Sequence, residues 1–172
     1  MYDHPVILTG FMGSGKSSVG RALARSLGCP FIDLDAEIVA DAGKSINEIF
    51  ADEGEAAFRA RESACLERVL QGGLRIIASG GGVVIAESNR RLMRGRGFVV
   101  HLAASLSTVL ERLEGATDRP LFTGQDAAIR ARTLMDERKH FYDDADIRID
   151  TDNISVEDVS AKILRILKGL PA

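Results

Sequence analysis

The stretch GFMGSGKSS, Gly10 to Ser18, follows the apolar run PVILT and leads into SSVGRALARSLG, whose apolar positions recur at helical spacing. Gly10, Gly15, Lys16 and Ser17 satisfy GxxxxGK[ST] between a strand and a helix, the context in which this pattern grips phosphate. The glycines let the chain curl so that successive N–H groups point inward. The helix start adds partial positive charge, Lys16 reaches the β and γ oxygens, and Ser17 offers a hydroxyl to Mg²⁺. The competing reading is a glycine-rich turn that only joins a strand to a helix. The flanking strand and amphipathic helix favour a bound nucleoside triphosphate with Mg²⁺, and they commit the chain to an α/β fold.

The remainder of the chain agrees with that class. Apolar runs rich in branched residues, VILTG (6–10), FIDLD (31–35), LRIIAS (74–79), FVVHLA (98–103) and ADIRID (145–150), read as strands. Helical periodicity falls between them at roughly 16–28, 45–51, 55–71, 87–95, 105–114, 127–142 and 155–168, with SINE, Ser45 to Glu48, as a capping box. Strands alternating with helices imply a parallel sheet covered on both faces, with ligands gathered outside the carboxyl ends of the strands. With 172 residues, 45% of them hydrophobic, one domain spanning 1–172 is expected.

Twenty-two basic and 25 acidic residues leave a net charge of −3, so no nucleic-acid or membrane surface is advertised. Cys29 and Cys65 lack metal or redox spacing and read as core thiols of a cytoplasmic protein. Asp3 stands where a secretory leader would be basic, and the apolar run after it is too short to span a membrane.

In many phosphate-loop proteins a later strand ends in an acidic residue that supports magnesium. Here LRIIAS ends in Ser79 and runs into Gly80, Gly81 and Gly82. The carboxylates are instead at the second strand, in DLD. Alternation along a strand projects Asp33 and Asp35 from one face, with Leu34 on the other. One can orient hydrated magnesium (Asp33), and the other can accept a hydrogen bond and the proton of an attacking hydroxyl (Asp35). The alternative is that they cap a helix starting near Ala36.

Arg59 and Glu62 share a face of the helix 55–71, as a surface ion pair or as part of a site. Arg138, in RKHFY, ends the helix before the last strand, and the glycine triplet offers backbone N–H groups. Arginines at such places suit bidentate binding of a carboxylate or phosphate. Arg119 lies in EGATDRPLFTGQ (114–125), a loop rich in turn formers, where it reads either as a solvated charge or as a lid arginine closing over the triphosphate. Phe50 and Phe58 read first as core and only weakly as a substrate wall.

In order along the chain, GFMGSGKSSVG, FIDLD, SINEIFADEGEAAFRARE, SGGGVV, DRPL and RKHFYDDAD resemble the motifs of the shikimate kinase family, over nearly the whole chain. This family belongs to the nucleoside monophosphate kinase-like branch of P-loop proteins. The resemblance implies a three-layer P-loop NTPase fold with a five-stranded parallel sheet of order 2-3-1-4-5 and a lid loop. It implies ATP-dependent phosphorylation of the 3-hydroxyl of shikimate, within aromatic amino-acid biosynthesis, by a cytoplasmic monomer using one Mg²⁺ per subunit. By position, Asp35, Arg59, Gly81 and Arg138 are similar to the shikimate-binding residues of the family, with Asp35 also the base. Gly13, Ser14, Gly15, Lys16, Ser17 and Ser18 match the ATP loop, with Ser17 and Asp33 serving the metal. Lys16 and Arg119 match catalytic positions, and Arg112 matches an arginine that packs on adenine. Nothing is assigned at 153–156. A gluconate-type kinase shares the grip but not the joint presence of DLD, FRxxE, SGGG and the arginine of RKHFY. A nucleotide-binding protein without catalysis would have no use for Lys16, Ser17, Asp33, Asp35 and Arg119 together.

Overall fold

Strand β1, Val6–Thr9, has a parallel neighbour on each side, β3 (Ile76–Ala78) and β4 (Phe98–Ala103), and helices on both faces bury it along its whole length. The computed structural model describes residues 2–113 and 126–170. With β2 (Phe31–Asp33) and β5 (Ile147–Asp150) at the edges, the sheet runs β2-β3-β1-β4-β5, all pairs parallel. This is the order implied by the resemblance. The chain leaves β1 for β2 on one side and later reaches β4 on the other, so the carboxyl end of β1 is the switch point where a crevice opens.

Alternation along β1 divides the core into two halves. Val6 and Leu8 point to a cluster with Val19 and Leu23 of α1 (Lys16–Leu27) and Val159, Ile163 and Leu167 of α7 (Val156–Lys168). Ile7 points the other way, to Leu34 and Ile38 of α2 (Leu34–Ala42), Phe58 and Leu66 of α3 (Ile46–Val69) and Met93 of α4 (Glu87–Arg96). Helices α5 (Leu106–Leu113) and α6 (Ala127–Tyr142) are the others among the described residues, and Tyr142 joins the second cluster. Gly20 lets α1 approach the sheet: a Cβ there would lie 3.1 Å from Phe31 Cδ2 and 3.3 Å from Leu8 Cδ1.

Two local features differ from the reading of the sequence. The second strand stops at Asp33, and α2 begins at once, as in the alternative reading of a capped helix starting near Ala36 but two residues earlier. Asp33 is its N-cap, accepting from the amides of Asp35 at 3.2 Å and Ala36 at 3.4 Å, while Leu34 and Ile38, four apart, are buried beneath. Asp33 and Asp35 therefore do not project from one strand face; Asp35 sits in the first turn of a helix. Secondly, a short 3₁₀ turn, Val83–Ile85, follows the glycine triplet.

The break expected between the helices at 45–51 and 55–71 is present as a kink in α3 at Gly54, where φ is 83°. Its N-terminal part opens on the Ser45–Glu48 capping box, and an ion network from Lys44 to Glu53 (2.7 Å) and Glu53 to Arg61 (2.9 Å) spans the kink. Among the described residues, no helix is long and apolar enough to cross a membrane.

Candidate active site

The phosphate-loop motif closes over the carboxyl end of β1. Gly10 has φ 143°, and a Cβ on it would meet the Leu102 carbonyl and lie 2.7 Å from Ser14 Oγ, so no other residue fits this turn. Helix α1 starts at Lys16 with no acidic residue in its first turn and no side-chain cap, leaving its amides and positive end to an anion. Ser14 is fully buried, and its Oγ has no hydrogen-bond partner among the described residues. Lys16 Nζ curls back to the carbonyls of Gly10 (2.8 Å) and Phe11 (2.9 Å), which holds its charge over the loop.

A cavity of about 440 Å³ opens beside this loop, and its lining includes Gly15, Lys16, Ser17, Asp33, Asp35 and Gly81. Gly13, Ser18 and Ser79 also reach it. Ser17 Oγ donates to Asp33 Oδ2 at 2.8 Å, while Asp33 Oδ1 caps α2. The capping reading of Asp33 is thus present, and the other oxygen of the same carboxylate lies against the Ser17 hydroxyl. A hydroxyl and a carboxylate side by side at a phosphate grip are a hard oxygen pair suited to Mg²⁺, which keeps several waters and binds through few protein ligands.

The glycine triplet after β3 threads between the other charged groups. A Cβ on Gly80 would lie 2.7 Å from Asp35 Oδ1 and 3.0 Å from Glu62 Oε1; one on Gly81 would lie 3.8 Å from Arg138 Nη1; one on Gly82 would lie 2.7 Å from Arg59 Nη2. Asp35, Arg59, Gly81 and Arg138, far apart in sequence, are thereby gathered along three residues. Ser79, standing where other phosphate-loop proteins carry an acid, is buried with its Oγ unpartnered among the described residues.

Glu62 was expected only as a partner of Arg59. The pair is made, with Arg59 Nη1 donating to Glu62 Oε2 at 2.7 Å, but it is no surface pair on the glutamate side: Glu62 is 1% exposed. Burial pushes its carboxyl above the ordinary range, partly offset by Arg59 and reinforced by the charge of Asp35. Its Oε1 has no partner among the described residues and faces the glycines and Asp35. Helical spacing gives the pairing; only the packing of α3 under the glycine triplet gives the burial. Phe58 belongs to the core, and Phe50, 37% exposed, lies tilted against it with ring centroids 4.7 Å apart.

Arg112 lies on the far side of the phosphate loop, donating to the Gly13 carbonyl at 3.1 Å and to Thr151 Oγ1 (3.2 Å) and the Thr151 carbonyl (2.9 Å). Thr151, just past β5, carried no signal in the sequence. It is buried and donates to the Ala103 carbonyl at 3.1 Å, tying the ends of β4 and β5 to the loop. Arg119 and the DRPL motif lie outside the described residues.

The sequence model of the shikimate kinase family matches residues 12–168. The chain belongs to the shikimate kinase family. It is 51% identical to the shikimate kinase of Geobacter metallireducens, over 95% of this chain and 92% of that one. Its fold superposes on the shikimate kinase from Acinetobacter baumannii in complex with shikimate with a TM-score of 0.91, at 34% identity, covering 96% of this chain and 93% of that one. A gluconokinase from Sinorhizobium meliloti shares the fold at a TM-score of 0.59 and 19% identity, covering 96% of this chain and 92% of that one. That likeness extends to the architecture alone.

Proposed function

We propose that the chain, working as one kinase domain, transfers the γ-phosphoryl group of ATP to the 3-hydroxyl of shikimate, giving shikimate 3-phosphate and ADP. The observation that carries this reading is one cavity on which Ser17, Asp33, Asp35 and Gly81 all open, with Arg138 beside Gly81 and Arg59 beside Gly82. Family membership and the shikimate complex of the Acinetobacter relative support the choice of acceptor.

In this reading the loop from Gly13 to Ser18 holds the triphosphate through backbone N–H groups, and Lys16 takes the β and γ oxygens. Ser17 and Asp33 would hold one Mg²⁺, which supplies charge neutralisation across the β and γ phosphates when bound. Asp35 accepts a hydrogen bond from the acceptor hydroxyl and takes its proton as the oxygen attacks phosphorus. Arg59 and Arg138 take the acceptor's carboxylate, and the Gly81 backbone lies beside it. Phosphoryl transfer needs little covalent help from the protein, so holding the two substrates in line accounts for most of the rate. Arg112 flanks the nucleotide from the Thr151 side. We place the enzyme in the cytoplasm as a monomer.

ADP release measured with ATP, Mg²⁺ and a panel of hydroxy acids tests the assignment. Shikimate should drive release and gluconate should drive little. Release that ignores the acceptor would sink it.

A further inference from the structure

Tyr142, the last residue of α6, is 5% exposed and its hydroxyl donates to the Gly81 carbonyl at 2.8 Å. One turn earlier on the same helix is Arg138, four residues away and so on the same face. Its guanidinium lies 3.8 Å from where a Cβ on Gly81 would stand, and its charge is felt at the phenol. The ring itself is held independently of that oxygen: His101 of β4 stacks on it at 4.7 Å with 16° between the planes, and the ring belongs to the core beneath α4 and α6.

Gly80, Gly81 and Gly82 have no side chains to fix them, yet each lies against a different charged group: Asp35 and Glu62, Arg138, and Arg59. Such a ribbon has more conformational freedom than any other three residues would. Its ends are tied by turn bonds, Val83 N to the Gly80 carbonyl (3.3 Å) and Ile85 N to the Gly82 carbonyl (3.0 Å). The Gly81 carbonyl is the middle one, and Tyr142 holds it. Because a trans peptide is planar, fixing that carbonyl also fixes the Gly82 N–H on the opposite side, and Gly82 is the residue that lies against Arg59.

We infer that Tyr142 is a positioning residue for the acceptor: its hydroxyl holds the Gly81 peptide beside Arg138 and so sets the spacing between the two arginines that take the carboxylate. This rests on the proposed reaction. Burial pushes the phenol up to about 12, so the donor is kept across the working pH range.

Steady-state kinetics of the full chain test the assignment. Wild type is run first with shikimate, and absence of shikimate-dependent ADP release overturns the proposed reaction and this inference with it. Given wild-type activity, Tyr142→Phe keeps the ring and its stack and removes one hydrogen bond. The KM for shikimate should rise about tenfold while the KM for ATP stays within about twofold. Unchanged constants, or equal losses for both substrates, overturn the positioning role alone. Arg138→Lys should weaken shikimate less in the Tyr142→Phe background than in wild type; strictly additive losses contradict the coupling. Should Tyr142→Phe not fold, a fluorinated tyrosine at 142, with a more acidic phenol, keeps the shape. Its shikimate KM should climb with pH over a range where wild type is flat, and a flat profile refutes the role.

Discussion

Ser17 and Asp33, sixteen residues apart, meet through a 2.8 Å hydrogen bond, and the second oxygen of the same carboxylate caps α2. One side chain thus joins the phosphate loop to the helix that carries Asp35. If Asp33 shifts, both Ser17 and Asp35 shift with it in the lining of the cavity.

Its two tasks are separable by substitution. Asn caps helices as well as Asp does, so Asp33→Asn should leave the melting temperature nearly unchanged while raising the Mg²⁺ needed for half-maximal activity about tenfold. Asp33→Ala should show the same Mg²⁺ requirement and also lose about 1 kcal/mol of stability with the cap. Magnesium titrations of activity and urea unfolding of the two variants check this. A shared, unaltered Mg²⁺ requirement would remove Asp33 from the metal.

Gly80 leaves no room for a side chain between Asp35 and Glu62. A methyl group 2.7 Å from Asp35 Oδ1 must displace that carboxylate, and a shift of about 1 Å in a positioned group lowers turnover on the order of a hundredfold. Gly80→Ala should therefore lower kcat by about that factor. Binding of a fluorescent ATP analogue should hold, because the phosphate loop is not touched. Equal loss of nucleotide binding would mean that the substitution disturbs the whole fold.

Much of this site is legible in the sequence because it lies in contiguous patterns. The phosphate loop, its flanking strand and helix, the break at Gly54 and the arginine before Tyr142 are local spacings, and local spacings are what periodicity reports. DLD was read as strand throughout because alternation fits it equally well. What ends β2 is the affinity of the Asp33 carboxylate for the Asp35 and Ala36 amides together with burial of Leu34 and Ile38, a tertiary outcome that three residues do not announce. Thr151 and the burial of Glu62 were silent for a related reason: each becomes part of the site only when distant elements close on it.

Glu62 gives the fold a pH dependence of definite sign. Its folded-state carboxyl is raised above the ordinary 4.5 by burial, so above that value the folded protein holds more protons than the unfolded chain, and stability falls as pH rises through the raised value. Glu62→Gln carries no proton to lose and can still accept from Arg59. Urea unfolding of the two proteins should show wild type losing stability relative to Glu62→Gln as pH climbs from 4.5 towards neutrality. Parallel curves would mean that Glu62 titrates as an ordinary exposed acid.

His101 works in the opposite direction. It lies beneath the sheet's carboxyl edge, 8% exposed and stacked on Tyr142, and its imidazole is lowered from 6.5 to about 4. Burial is the main cause; Arg148, its register partner on β5, and Lys16 add to it, while Asp143 and Asp150 oppose it. The folded protein therefore keeps His101 neutral where the unfolded chain binds a proton. Stability is fully present above 6.5 and is lost as pH falls towards 4, by up to about 3 kcal/mol at 1.36 kcal/mol per pH unit. A protonated His101 would add a buried positive charge facing Arg148 and Lys16 beside the ring that holds the Gly81 peptide, so acid should loosen the glycine triplet before the rest of the sheet. His101→Phe keeps an aromatic ring on Tyr142 and cannot charge. Compared with wild type, it should lose less stability between pH 6.5 and 4, and amide exchange at Gly81 and Gly82 should accelerate with acid less in the variant once intrinsic rates are divided out. Identical acid losses in the two proteins would place the acid sensitivity elsewhere and leave His101 a packing residue.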